Sequence, residues 1–245
     1  LQQKLSIEKQ LHKLSVVSLY FLAVTWMSIT TTIVPIDIYP WQICFWFYNK
    51  SMIEHLTEIL LAPAEIVAPR LLGSLLVSDL GGEHIVGRIV ETEAYKQSDV
   101  ASHSYRGETE RTRVMFGLPG YLYVYFTYGM HYCCNVVCEP AGQGAAVLLR
   151  ALEPVEGQEF MMHRRGTHDE QNLCSGPAKL TQALAINKNN NGHNLSKPPL
   201  RLILKPKLDE RKIIEGPRIG ISKGLDVSWR FYEANNPFVS KPHLM

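Results

Sequence analysis

The sequence predicts an α+β fold, one mixed domain built around a largely antiparallel β-sheet. Strand-like segments outnumber helical ones and lie close together in pairs, the arrangement expected of hairpins rather than of βαβ crossovers. No internal repeat and no Pro/Gly/Ser-rich linker divides the chain after Met52. At 245 residues and 46% hydrophobic, the chain is long enough to bury a sizeable core, which excludes disordered, collagen-like and coiled-coil classes.

Residues 1–51 stand apart from that domain. Leu14 to Ile36 is a run of 23 uncharged residues preceded by Lys4, Lys9 and Lys13. It is long enough to span a bilayer, yet seven of its residues are Ser or Thr and one is Pro35. We expect 1–51 to be an N-terminal extension, either a targeting segment or an upstream translation ahead of a start near Met52, and 52–245 to be the working domain. No membrane association is expected of 52–245.

From Met52 onward, EHLTEILL (Glu54–Leu61) reads as a short helix ended by Pro63. LLGSLLVSDL (Leu71–Leu80) and HIVGRIVETEAY (His84–Tyr95) read as a hairpin joined at Gly81-Gly82. A polar, Arg-rich loop follows from Lys96 to Arg113. Tyr121–Cys138 is β-branched and aromatic and reads as one long strand, and GAAVLLRAL (Gly144–Leu152) as another, ended by Pro154. Helices are expected over Glu156–Arg165 and after Pro177, where Ser175-Gly176-Pro177 provides cap and first-turn chemistry. Short strands return at Leu200–Lys205, Arg218–Ser222 and Trp229–Glu233, with a polar turn at Asn187–Asn194.

The total of 25 Lys+Arg against 23 Asp+Glu gives a formal charge of +2, all of it from residues 1–51. The remainder is neutral but divided: residues 52–160 carry −7 and residues 161–245 carry +7. A uniformly basic nucleic-acid binder is excluded, whereas a local basic patch for a polyanion is not. Candidates for that patch are Arg164, Arg165, Lys179, Lys188, Arg201, Lys205, Lys207, Arg211, Lys212 and Arg218.

Strand alternation sorts the chemistry-bearing residues into faces. It puts Ile85, Ile89, Glu91, Glu93 and Tyr95 on one face of their strand, leaving Glu91 and Glu93 equivalent. In the next long strand Tyr121, Tyr123 and Tyr125 share a face opposite Leu122, Val124 and Phe126. Tyrosines with a carboxylate nearby can form a flat pocket for a planar ring beside a general base. The plainer reading is aromatic packing beside solvated glutamates. Metal chemistry is not expected. The cysteines (44, 133, 134, 138 and 174) include no CxxC, and the histidines no HExxH. They read as reduced, buried thiols. No P-loop or nucleotide-binding glycine fingerprint is present, and LCSGP is no nucleophile elbow.

Taken together, RIVETEAY (Arg88–Tyr95), His103, MFGLPGYLYVYFTYGMHYCCNVV (Met115–Val137), VLLRALEP (Val147–Pro154), LCSGPAKLTQALAIN (Leu173–Asn187) and PRIGIS (Pro217–Ser222) resemble the alkyladenine, or 3-methyladenine, DNA glycosylases. The resemblance covers about 55–240, with six motifs in consistent order. It implies a curved, largely antiparallel sheet flanked by helices, and a monofunctional hydrolase of base-excision repair. Such an enzyme flips alkylated or deaminated purines out of duplex DNA and hydrolyses the N-glycosidic bond with activated water. By resemblance Glu93 is the general base, and Arg150 and the Ile219 carbonyl help to hold the water. Tyr95, His103 and Tyr125 hold the flipped base, and Asn135 crowds the exocyclic amine of guanine. Tyr128 fills the gap in the duplex, with Met130 and His131 against the flanking DNA.

The same resemblance implies a monomer working without metal or organic cofactor, on double-stranded DNA with damaged purines, in a compartment that contains DNA. The sequence departs from it at GETERTR (Gly107–Arg113), where Glu108 and Glu110 add negative charge near the DNA path, and at a compact SKGLDVSWRFY (Ser222–Tyr232). Two alternatives remain at this stage. A lesion-binding protein without catalysis would release no base, and a small-ligand β-sheet protein would lack salt-dependent duplex binding.

Overall fold

The computed structural model describes residues 56–240. The expectations for 1–51 lie outside the described residues. Residues 56–60 are helical, and after Pro63 comes a helix that the sequence reading did not anticipate, α1 (Ala64–Leu71). It buries Ala64, Val67, Ala68 and Leu71 against the sheet. Its first N–H groups lack helical partners, and the Ala64 N–H donates to Glu139 Oε1 at 2.9 Å, a buried acid at the positive end of the helix.

The strands are β1 (Leu75–Ser78), β2 (Ile85–Tyr95), β3 (Tyr121–Thr127), β4 (His131–Val137), β5 (Ala146–Glu156), β6 (His193–Asn194), β7 (Leu200–Ile203), β8 (Ile213–Gly216) and β9 (Arg230–Glu233). They form one sheet in the order β6-β3-β4-β5-β2-β1-β7, with β9 joining β2 and β8 to its side. Every pairing is antiparallel. β2 is the hub. Its first half pairs with β1 and its second half with β9, while β5 runs along it for nearly its full length.

The β2–β5 register shifts twice in the middle. Ile89 faces Leu152 and Glu91 faces Ala151, so Val90 is an extra residue on β2. Thr92 then faces Leu149, so Arg150 is an extra residue on β5 and the register is restored. A bulge reverses side-chain parity. Ile85 and Ile89 therefore lie in the hydrophobic core with Ala94, while Thr92 bonds the Ala68 carbonyl of α1 on that same side at 2.9 Å. Glu91, Glu93 and Tyr95 turn to the opposite face. The expectation of one shared face for Ile85, Ile89, Glu91, Glu93 and Tyr95 is thus corrected.

Other boundaries also differ from expectation. Tyr121–Cys138 is a hairpin, not one strand. Tyr128 (φ 51°) and Gly129 (φ 68°) make the turn, closed by Met130 N–H to the Thr127 carbonyl at 3.3 Å. β5 continues through Pro154 to Glu156, because β4 pairs only as far as Leu148 and the 174–175 segment bonds that edge only at Ala151 and Leu152, which leaves Pro154 on an unpaired edge where a proline is tolerated. Arg218–Ser222 is a loop rather than a strand, and the strand lies earlier, at β8.

Helices α2 (Gln158–Arg165) and α3 (Pro177–Ala183) match the expected segments. Thr181 of α3 donates to the Tyr132 carbonyl of β4 at 2.8 Å. The main core joins Leu71, Leu76, Ile89, Leu122, Val136, Leu149, Leu152 and Leu180, each buried aliphatic contributing about 1.5–3 kcal/mol. The chemistry sits on the other face of β2–β5. Cys133, Cys134, Cys138 and Cys174 are buried free thiols. Among the described residues no helix is long and apolar enough to cross a membrane, and no group of three or more His, Cys, Asp or Glu could hold a metal ion.

Candidate active site

A cleft of about 620 Å³ opens over the face of β2–β5 turned away from the core. Tyr95 of β2, Tyr123 and Tyr125 of β3, Cys133 and Asn135 of β4, and Leu148 and Arg150 of β5 line it. The loop carrying His103 closes one side, residues 219–223 close another, and Tyr128 stands at the mouth.

Glu93 is fully buried behind the wall made by Tyr95, Arg150 and Ile219. Its Oε1 accepts the Ile219 N–H at 2.7 Å and faces Arg150 Nη1 at 3.2 Å, while its Oε2 accepts the Tyr95 hydroxyl at 2.8 Å. A carboxylate offers about four lone-pair sites. Three are engaged, which orients the group and leaves one acceptor position on Oε2. Burial raises the Glu93 pKa above the usual carboxylate range. Arg150, the Ile219 amide and the Tyr95 hydroxyl oppose that shift, and the Glu91 charge adds to it. The result is a stronger base than a solvated glutamate, held by donors that favour its anion.

The two glutamates that alternation leaves equivalent are distinct in the structure. Neither carboxylate lines the cleft itself, but Glu93 is bonded to three of the residues that do, Tyr95, Arg150 and Ile219, whereas Glu91 shares only Arg150 with them. The Glu91 carboxylate accepts from Arg150 Nε at 3.1 Å, Arg230 Nε at 2.6 Å and the Ser240 N–H at 2.8 Å. Ile219 contacts Glu93 through its amide N–H.

The aromatic walls are ordered by hydrogen bonds and ring contacts. His103 Nδ1 is 3.0 Å from the Tyr123 hydroxyl, and its ring meets Tyr125 edge-on at 4.5 Å between centroids. Tyr123 and Tyr125 stack at 5.6 Å. Burial, followed by the charge of Arg111, pushes the His103 pKa down to about 4, so its imidazole is neutral at pH 7. Burial raises the Tyr125 and Tyr95 hydroxyls well above 10, and Glu93 reinforces the shift at Tyr95. Both remain phenols. Asn135 donates its Nδ2 to the Tyr123 carbonyl at 3.1 Å, which presents its carboxamide rigidly at the wall.

Tyr128 is 81% exposed and Met130 70%, and His131 is also exposed. The three sit at the tip of the β3–β4 hairpin, and of them only Tyr128 reaches the cleft. A bulky residue at positive φ is strained, and strain of this kind accompanies functional display.

The sequence alone does not mark Cys133, Lys223 or Arg218 for the site, and it marks Tyr123 only as one of the tyrosine face. The tyrosine alternation was the available signal for Tyr123. Arg218 had been grouped with the surface cations. It is instead buried against Asp99, donates to the Ala94 carbonyl at 3.1 Å, and sits 4.7 Å from the Tyr95 ring centroid on its cationic carbon. Arg164 pairs with Glu83, Arg201 with Asp79 and Arg230 with Glu91, so these cations of the last third, like Arg218, are matched by acids of residues 52–160. Glu108 is 3.8 Å from Arg113 on the surface, which balances part of the acidic departure in GETERTR.

A cleft with a buried, arginine-held glutamate behind stacked tyrosines agrees with what comparison of the chain with known proteins finds. The methylpurine-DNA glycosylase (MPG) family model matches residues 58–237. The chain belongs to that family. Relatives are about 50% identical to it over aligned stretches that span most of their own length. One from Nitrosospira multiformis is 51% identical over 177 residues, covering 72% of this chain and 88% of the relative. One from Carboxydothermus hydrogenoformans is 52% identical over 177 residues, covering 72% and 93%. One from Chlorobaculum tepidum is 49% identical over 181 residues, covering 73% and 87%. Each of these carries the name "Putative 3-methyladenine DNA glycosylase". Membership of the methylpurine-DNA glycosylases makes the chain a base-excision repair hydrolase acting on DNA, in a compartment where DNA is held.

Proposed function

We propose that this glycosylase flips an alkylated or deaminated purine nucleotide into the cleft and hydrolyses its N-glycosidic bond with water activated by Glu93. The observation that carries this is the Glu93 carboxylate, buried, raised in proton affinity and held on both oxygens by Tyr95, Arg150 and Ile219. The free acceptor position on Oε2 takes the proton of a water as its oxygen bonds to the sugar C1′. The C1′–N bond breaks, its electron pair leaves with the purine, and the ionised carboxylate stabilises the positive charge developing on the sugar. Arg150 keeps that carboxylate oriented and ionised.

The remaining residues supply binding and selection. Tyr95, Tyr125 and His103 form the slot for the base, and electron-rich rings favour the positive charge of 3-methyladenine or 7-methylguanine. Those purines leave as neutral bases. Hypoxanthine and other neutral lesions need a proton on departure, and His103, neutral at pH 7, does not provide it. Asn135, held at the cleft wall by the Tyr123 carbonyl, is assigned to crowd the exocyclic amine of guanine. Tyr128 fills the vacated base stack, with Met130 and His131 on the flanking duplex. One chain carries all of these residues, so a monomer without metal or organic cofactor suffices for the reaction.

The test is single-turnover release from duplexes containing 3-methyladenine, 7-methylguanine, hypoxanthine or ethenoadenine. Release of at least one is expected. Tight lesion binding with no release of any would leave a binding protein without catalysis.

A further inference from the structure

Behind the catalytic wall lies a second buried layer that the reaction scheme above does not use. Glu91 Oε1 accepts both Arg150 Nε at 3.1 Å and Arg230 Nε at 2.6 Å. Its Oε2 accepts the Ser240 N–H at 2.8 Å, and Arg230 Nη2 returns to the Ser240 carbonyl at 3.3 Å. The four side chains Glu91, Glu93, Arg150 and Arg230 are at most 7% exposed. Buried ion pairs of this sort contribute little stability beyond well-packed apolar residues of the same volume. Stability alone is therefore a weak reason for this arrangement.

Its geometric effect is specific. A guanidinium is a rigid plane, so fixing one N–H fixes where the others point. With Nε anchored on Glu91, Arg150 directs Nη1 to Glu93 Oε1 at 3.2 Å. Arg150 is also the extra residue of the β5 bulge, where local pairing with β2 is interrupted and the side chain needs another restraint.

We infer that Glu91, gripped by Arg230 and closed off by the Ser240 backbone, is a positioning residue for excision that sets the orientation of Arg150 toward Glu93. This rests on the reading of Glu93 as the base. It also gives the last described residues a part in catalysis, since Ser240 seals the carboxylate.

The test uses the full chain and a hypoxanthine duplex. Single-turnover rate from pH 5 to 9, lesion-duplex affinity and melting temperature are measured for E91Q, R230K and E93Q. Glu93 is faced by Tyr95 and Glu91 of β2, Arg150 of β5, Arg230 of β9 in register, Tyr125 of β3, Cys133 of β4 and Arg218 of the loop before β9. E91Q removes one negative charge from this set, so the acid limb of its rate profile is expected at lower pH. Its plateau rate is expected to fall about tenfold to a hundredfold, with lesion affinity retained. R230K keeps the charge but loses the fork, so its rate is expected to fall with the acid limb unmoved.

Should E91Q not fold, R230K decides by its rate-against-affinity split. Wild-type rates in the folded variants overturn the inference, as does a joint fall of rate, affinity and melting temperature. An active E93Q would instead overturn the reading of the base itself. An inactive E93Q beside wild-type-like E91Q and R230K would remove only the positioning role.

Discussion

Arg150 Nη1 lies 3.2 Å from Glu93 Oε1 where each strand of the β2–β5 pair carries one extra residue near its middle, Val90 on β2 and Arg150 on β5. The first bulge turns Glu91, Glu93 and Tyr95 away from the core, and the second places the arginine beside them. The two shifts cancel, so the pairing from Thr92 to Tyr95 proceeds as an ordinary antiparallel ladder. The Glu93–Arg150 pair is thus built on strands in the middle of the sheet rather than on a loop.

The neutrality of His103 has a measurable consequence. Its folded pKa, about 4, is depressed below the ordinary 6.5. The unfolded chain therefore binds the proton first on acidification. The stability contributed by the neutral imidazole is fully present above 6.5 and is lost as pH falls toward 4. An NMR titration of the ring is expected to show its midpoint near 4. Stability of His103→Gln is expected to fall less steeply than that of the unsubstituted protein across the same window, because glutamine has no proton to gain.

Tyr128 trades stability for display. Its φ of 51° costs a bulky L-residue about 1 kcal/mol that glycine does not incur. Tyr128→Gly is expected to raise the melting temperature by about 2–4 °C. The same variant is expected to bind a lesion duplex at least about tenfold more weakly, having lost the ring proposed to fill the base stack. Calorimetry and fluorescence anisotropy on the one variant read both effects.

Gly144 holds the base of the His103 loop close to β5. Ser104 Oγ donates to its carbonyl at 2.6 Å, and a Cβ at this position would lie 2.6 Å from both Ser104 Cβ and Phe116 Cζ. Gly144→Ala is expected to cost about 1–3 kcal/mol, read as a lower urea midpoint. Lesion affinity is expected to fall with it, since displacement of Ser104 carries the adjacent His103 away from Tyr123.

The sequence made the sheet class and much of the site legible, for identifiable reasons. The tyrosine alternation in β3 and the proline at the first turn of α3 are local signals, and the ordered motifs from RIVETEAY to PRIGIS carry the family. The paired bulges are not local. Val90 and Arg150 look like ordinary strand residues, and only the opposing strand reveals that each is extra. The Tyr128-Gly129 turn was hidden in an aromatic run because its first residue is a poor turn former, used there for display. Arg218 read as a surface cation because its partner Asp99 lies 119 residues earlier in the chain. Tertiary pairing of this kind leaves no trace in composition or spacing.

The most direct measurement is single-turnover excision by Glu93→Gln on a duplex containing hypoxanthine, with lesion affinity determined in parallel. The substitution keeps the volume and removes the charge proposed to accept the proton of water. A fall of about 10²–10⁴ in rate, with affinity close to that of the unsubstituted enzyme, is the expected result. Excision at a near wild-type rate would contradict the assignment of Glu93 as the base.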